Sequence, residues 1–98
     1  MTQSLPQILK ERGERYGQFR MNAQLSQDLK STMTGHDNWH LLAPKHKEAL
    51  EMIVHKIARI INGDPNHADS WHDIAGYATL AAELYKVMPD GSVKNDQT

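Results

Sequence analysis

Apolar residues recur at three- and four-residue intervals along most of the chain, and this spacing is the period of an α-helix. The clearest pattern lies between Pro44 and Asn62, and its apolar face carries Leu50, Ile53, Val54, Ile57, Ile60 and Ile61. Gly63 and Pro65 follow as stop signals. No stretch alternates apolar and polar residues with the period of two that a strand requires. The pattern therefore predicts an all-α fold.

Two helices are predicted before this one. The first runs from about residue 5 to residue 12 or beyond, and Ser4 and Gln7 have the spacing of a capping box at its start. The second covers residues 19–33, and Gly35 is a plausible stop signal behind it.

A fourth helix is predicted from about residue 70 to residue 87, with Pro89-Asp90-Gly91 closing it. The short link before it makes the third and fourth helices an antiparallel hairpin. We therefore expect a small bundle of about four helices around this central hairpin, with residues 1–91 as a single domain and residues 92–98 as a disordered polar tail.

The fourth helix is apolar on two sides, which is typical of a helix that is covered on both. One side carries Trp71, Ile74, Ala78, Ala81 and Tyr85, and the other carries Tyr77, Leu80, Leu84 and Val87. Three short helices are too few to cover both sides. We therefore predict a homo-oligomer whose interface includes this helix, with Ala75, Gly76 and Ala78 as a small-residue strip that permits close approach.

Composition and charge limit the classes of partner. The net charge of −1 lacks the basic excess that nucleic acids usually require, so nucleic acid is an unlikely partner. No segment has the length of a membrane span, so no membrane partner is expected. The chain has no cysteine, which suits a cytoplasmic protein and excludes thiolate metal ligands.

Two carboxylates, Asp69 and Asp73, lie one helical turn apart at the start of the fourth helix. Like charges at this spacing cost a few tenths of a kcal/mol, so a cation such as Mg²⁺ between them is one interpretation. The alternative is helix capping, in which Asp69 or Ser70 is the N-cap and Asp73 lies three residues behind Ser70.

A second pair of acids, Glu48 and Glu51, lies on the third helix with His55 and Arg59 on the same stripe. A pair at this spacing can hold one hard cation, so both are candidate Mg²⁺ ligands. The alternative is a solvated charged face opposite the core. Both glutamates lie toward the far end of the hairpin from Asp69, so a site that uses all four acids would require a neighbouring subunit.

Phosphate contacts are predicted at Lys56, Arg59 and Arg15. For Lys56 and Arg59 the alternative is that their aliphatic stems shield the flank of a core helix. The run Arg15-Tyr16-Gly17 is either a turn that clasps a nucleotide or an ordinary helix junction.

Base stacking is predicted for Trp71 and Tyr77, with Trp39 as a further candidate and core packing as the alternative. His36 and His40, four residues apart, leave a zinc site open as a less favoured interpretation.

The stretch 47–85, and especially its parts 48–60 and 69–80, resembles a family of small phage and prophage proteins of unknown function. The signature of that family is D-S-W-x-D-I-A-G-Y, which residues 69–77 carry with His72 at the variable position. The chain is also similar, more distantly, to phage nucleotide-modification-associated domains. In those domains an aromatic-glycine pair like Tyr16-Gly17 precedes a Lys-x-x-Arg-Ile helix and an Asp-rich helix.

A third resemblance is to the all-α nucleoside triphosphate pyrophosphatases of the MazG type. Glu48 and Glu51 match their first acidic pair and Asp73 matches their last acid, whereas Ser70 stands where the remaining acid is expected and Asp69 precedes it. This resemblance implies Mg²⁺-dependent hydrolysis of a nucleotide between its α and β phosphates.

These observations support a phage or prophage protein associated with nucleotide metabolism, with a Mg²⁺-dependent nucleotide pyrophosphohydrolase as the enzymatic form of the hypothesis. The alternative is a non-catalytic module that binds either signalling nucleotides, as a sponge, or a host protein, in both cases against host defence. The expected partner is thus a nucleotide or a host protein, in the cytoplasm of the host cell if the protein is phage-encoded.

Overall fold

The computed structural model describes residues 3–95 of the chain. Within these residues the elements are α1 (Leu5–Tyr16), α2 (Phe19–Thr34), a turn of 3₁₀-helix (Trp39–Leu41), α3 (Pro44–Asn62), α4 (Ala68–Ala81), β1 (Tyr85–Val87) and β2 (Val93–Asn95). The helices dominate and the strands are three residues long. The predicted all-α bundle is confirmed.

Helix α3 is the central element and has the predicted ends, Pro44 and Asn62. Helices α2 and α4 pack against it, and α1 contacts it near its C-terminal end. An ion pair joins Lys45, near the start of α3, to Glu83, just beyond α4. The predicted antiparallel hairpin of the third and fourth helices is therefore confirmed.

Helix α1 begins as predicted, because the Ser4 hydroxyl accepts a hydrogen bond from the backbone N–H of Gln7 at 3.3 Å. It continues past Gly13 and ends at Tyr16. This extra turn brings Tyr16 to the C-terminal end of α3.

The interior of the described chain is small. Its buried apolar side chains are Ala49, Val54 and Ala58, all on α3, and the buried residues of α2 are the polar Asn22 and Ser26. Small residues at this contact let α2 approach α3 closely. The predicted apolar face of α3 is only partly covered, since Leu50 and Ile61 are exposed.

Helix α4 differs from the prediction at both ends. Its N-cap position is His67, so the capping interpretation of Asp69 and Ser70 is wrong, and Ser70 lies buried inside the helix. The helix ends at Ala81 instead of near residue 87, and Glu83 behind it has a left-handed φ of 57°.

The segment behind α4 forms a hairpin in which Val87 pairs with Val93. Its turn is closed by the backbone N–H of Met88, which donates to the carbonyl of Ser92 at 2.7 Å, and Gly91 supplies a φ of +88°. Part of the predicted disordered tail, Val93–Asn95, is therefore a strand, and residues 96–98 lie outside the described residues.

The molecule is flat, with extents of 44 × 42 × 21 Å. None of the helices found within residues 3–95 has both the length and the apolar character needed to cross a lipid bilayer.

Candidate ligand-binding groove

A groove of about 450 Å³ lies between α1, α2 and α3 and is called the Arg59 groove here. Its lining residues come from all three helices: Leu9, Arg12, Gly13, Tyr16, Gly17, Gln18, Phe19, Asn22, His55 and Arg59. The lining contains two arginines and a histidine but no aspartate or glutamate. The groove therefore has a local positive charge, although the whole chain carries a net charge of −1.

The groove borders a backbone junction that we call the α1–α3 clasp, in which residues 15–18 dock on residues 62–64. The side-chain amide of Asn62 donates to the carbonyl of Tyr16 at 2.9 Å and to that of Gln18 at 3.1 Å. The backbone N–H of Asp64 donates to the carbonyl of Arg15 at 2.6 Å. These bonds fix the direction in which α1 leaves the bundle.

Glycines at two positions make the clasp possible. Gly17 has a φ of +77°, a region that side chains rarely adopt, and a Cβ there would overlap Asn62. Gly63 approaches the backbone of Arg15 and Tyr16 so closely that a Cβ would overlap both. The contact is therefore possible because neither position carries a side chain.

Arg59 and Tyr16 contact each other in the lining of the groove. The guanidinium carbon of Arg59 lies 4.3 Å from the centroid of the Tyr16 ring, a cation–π contact. On another side the ring meets His67 edge-on, with 5.8 Å between the centroids. Tyr16 is thus held by two side chains, and it orients Arg59.

Several buried polar atoms on the α2–α3 side have no hydrogen-bond partner among the described residues. They include Nε of Arg59, a donor, and Oδ1 of Asn22, an acceptor, and both residues line the groove. Buried polar groups without a partner are uncommon in folded proteins. Both atoms are closed to solvent in this conformation, so a ligand that accepts from Arg59 and donates to Asn22 would reach them only after a shift of these side chains.

His55 lines the groove beside Arg59. Burial lowers the pKa of His55 from its ordinary value, and the charges of Arg59, Lys56 and Lys30 lower it further. The imidazole is therefore neutral at neutral pH and can either donate or accept a hydrogen bond.

Acidification is expected to destabilise the protein partly through His55. As the pH falls below about 6.5, the ordinary histidine pKa, the unfolded chain takes up a proton that the folded chain resists, so the free energy of unfolding decreases. Urea unfolding at pH 7.5 and pH 5.5 should show a larger decrease for the wild type than for His55→Gln. An equal decrease in both proteins would contradict the partly buried, neutral state of His55.

The predicted Mg²⁺ ligands do not converge within one chain. Asp73 pairs with Lys56 at 3.0 Å, and Asp69 lies 3.4 Å from Nε2 of His67. Glu51 and Glu48 precede Lys56 on α3 by about 7.5 and 12 Å along the helix axis. In the described part of the chain, no group of three or more histidine and acidic side chains could hold a metal ion. The residues therefore do not fit one magnesium or zinc site in a single chain, and ligation by these acids stays a prediction.

The other predicted contacts lie in different places. Arg59 lines the groove, whereas Lys56 is largely buried in its ion pair and the Arg15 side chain is exposed. The indole N–H of Trp71 donates to the carbonyl of Pro65 at 2.8 Å, and Tyr77 lines a separate depression on the α3–α4 side. Arg15, Lys56, Trp71 and Tyr77 are thus absent from the Arg59 groove.

Sequence reasoning missed Arg12, Phe19 and Asn22 as groove residues. Two signals pointed toward the site: the aromatic-glycine junction at Tyr16 and the polar stripe of α3 that contains His55 and Arg59. The sequence alone predicts a carboxylate site or a solvated face at this stripe. In the structure, its C-terminal half faces α1 and α2.

Comparison with known proteins gives the family but no activity. No curated protein and no solved structure is significantly similar to the chain. A family model covers residues 1–85, which include all four helices and every residue that lines the Arg59 groove. The chain belongs to the family described as a domain of unknown function, DUF6378.

Proposed function

We propose that the protein is a binding module for a phosphorylated aromatic ligand of the nucleotide class, which it holds in the Arg59 groove without hydrolysing it. The observation that carries this proposal is the buried, unpaired Nε of Arg59 in a groove whose lining contains no acid. An anionic oxygen is the natural acceptor for a guanidinium N–H, and phosphate takes this contact readily.

The charges of the lining favour a phosphate in the groove. Arg59 and Arg12 supply two cations, and neutral His55 adds a hydrogen-bond donor that needs no proton uptake. With no carboxylate in the lining, an anion meets no repulsion there. Arg59 is also held in place by Tyr16, so little side-chain freedom is lost on binding.

The remaining lining suits a nucleobase. Phe19 is 82% exposed at the edge of the groove, and stacking of a base would cover its ring. The free Oδ1 of Asn22 can accept from an exocyclic amine. The volume of about 450 Å³ is within the range of small-molecule sites.

Hydrolysis is not part of this proposal, because the acids that would hold Mg²⁺ lie apart in the single chain. A nucleotide sponge of phage origin, acting in the cytoplasm of a host cell, is the biological setting that fits a binding module. Docking on a host protein is the alternative, and it predicts that no nucleotide binds.

The test is a thermal-shift and calorimetric screen against nucleoside mono-, di- and triphosphates and cyclic nucleotides, with Mg²⁺ and with EDTA. A true ligand at about 100 times Kd should stabilise the fold by about 2.7 kcal/mol, and the shift should persist in EDTA. Arg59→Met keeps the aliphatic stem and should weaken binding about tenfold, since a charge-assisted hydrogen bond contributes about 1.5 kcal/mol or more.

The matched control is Arg20→Ala, which also removes one positive charge but concerns an exposed side chain outside the groove lining. Its affinity should stay close to that of the wild type. Failure of every nucleotide to shift the unfolding temperature would refute the proposal. So would a shift that requires Mg²⁺ and is insensitive to Arg59→Met.

A further inference from the structure

Within the described residues, much apolar surface is exposed to solvent, although its burial would stabilise the fold. Thirteen large apolar residues are at least one third exposed, and no large side chain within residues 3–95 is fully buried. A buried interior of two alanines and a valine is far smaller than a stable domain of this length requires. The missing burial must come from an additional surface.

The accessible area of the whole chain also exceeds that of a compact monomer. The accessible area is 7432 Å², whereas a compact monomer of 11.1 kDa exposes about 5,700 Å². The difference of about 1,700 Å² is roughly twice the area that each partner buries in a standard interface of about 800 Å². The radius of gyration of 16.4 Å likewise exceeds the value of about 13 Å for a compact chain.

One continuous apolar face lies along the α3–α4 hairpin. A groove of about 440 Å³ runs between the two helices on this side, and no Asp, Glu, Lys or Arg lines it. We define the Leu50 face as Leu42, Leu50, Ile53, Ala75 and Ala78. Trp71, 54% exposed, continues it one turn before Ala75. The Arg59 groove, in contrast, is lined by arginines and lies between α1, α2 and α3.

We infer that the Leu50 face is the interface of a homodimer, in which a second copy of this chain packs its own α3–α4 hairpin against the first. A two-fold interface requires one surface to carry both the projections and the recesses. The Leu50 face has both. The large side chains of Leu50 and Ile53 project from α3, and the small side chains of Ala75 and Ala78 form a recess on the neighbouring strip of α4. Pairing two such faces gives a four-helix arrangement with large residues seated on alanines.

The partner on the Leu50 face is a second copy of the chain, because a single chain buries too little apolar area to be stable as a monomer. A partner required for folding must be present wherever the chain is made, and another copy of the chain always is. The proposed ligand groove lies on the α1–α2 side of α3, so the dimer would leave it open. This inference is therefore independent of the proposed function.

Sedimentation velocity and light scattering over a wide range of concentrations test the dimer. The wild type is expected at twice 11.1 kDa, with an unfolding temperature that rises with protein concentration. Leu50→Glu places a charge in the face and should halve the mass. Leu80→Glu is the matched control, since Leu80 is also exposed but lies across the α3–α4 seam, beside Tyr77. Its mass should stay that of the wild type.

If Leu50→Glu does not fold, cross-linking provides a second test of the dimer. The chain has no cysteine, so Ala78→Cys creates one reactive position in the face, and Ser31→Cys creates one on exposed α2 surface. A short bis-maleimide should link two Ala78→Cys chains and leave Ser31→Cys chains single. A monomeric wild type at all concentrations would overturn the inference, as would dissociation by Leu80→Glu or the absence of linkage at Ala78→Cys.

Discussion

Replacing Gly17 by alanine is expected to lower the free energy of unfolding by about 3–5 kcal/mol. Two penalties coincide at this position. The backbone has a φ of +77° and a ψ of −169°, a conformation that is nearly confined to glycine, and the new methyl group would overlap the backbone oxygen and the side-chain amide of Asn62. The measurement is urea unfolding followed by circular dichroism.

Gly13→Ala is the matched control for this prediction. Gly13 lies inside α1, and apart from the adjacent backbone of that helix no heavy atom lies within 4 Å of where its Cβ would be. Alanine there should raise the free energy of unfolding by about 0.5–1 kcal/mol, because it favours the helix. If Gly17→Ala were as stable as Gly13→Ala, the α1–α3 clasp would not form as described. A folded Gly17→Ala should also bind ligand more weakly, since Tyr16 loses its fixed position.

Replacing Asp73 by alanine is expected to cost about 2–3 kcal/mol. The Lys56 side chain is only 12% exposed, and Asp73 is its carboxylate partner at 3.0 Å. Loss of the carboxylate leaves a positive charge on a largely buried side chain without its opposite charge. The expected cost is below that of a fully buried pair because Asp73 itself is 48% exposed.

The double-mutant cycle separates this ion pair from a metal site. In Lys56→Met the unpaired charge is absent, so adding Asp73→Ala to that background should cost less than 1 kcal/mol. Asp69→Ala is the second control, and it should cost less than Asp73→Ala because Asp69 is 77% exposed. A variant Asp73→Ala with unchanged stability that has lost a Mg²⁺-dependent thermal shift would establish Asp73 as a metal ligand instead.

The helical periodicity of the sequence predicts the four helices, but it predicts some of their ends more accurately than others. Helix α3 matches the prediction at both ends because Pro44 and Gly63 are strong local signals. The predicted α4 is too long because Leu84 and Val87 continue a helical spacing, whereas the helix ends at Ala81 and Glu83 has a left-handed φ. The sequence predicts a helix stop at Pro89-Asp90-Gly91, where the structure has the turn of a hairpin. The strands beside it are too short for an alternating pattern to be recognised.

The candidate site could be predicted only in part, because it depends on which helix faces which. Arg59, which its residue type predicts to be a phosphate contact, lies in the lining of the groove. Its neighbours, however, come from α1 and α2, and a single sequence does not fix the packing direction of α1. Local spacing also suggested that Asp73 and Lys56 serve a ligand, whereas the antiparallel hairpin pairs them with each other.

The α1–α3 clasp also has a consequence for the order of folding. The hairpin of α3 and α4 closes over the few residues between Asn62 and Ala68, whereas the bond from Asn62 to Tyr16 closes a loop of 46 residues. Loop closure costs more entropy as the loop grows, so local contacts form before distant ones. We expect the hairpin to form early and the clasp late. The Arg59 groove should therefore be the last part of the monomer to assemble and the first to open.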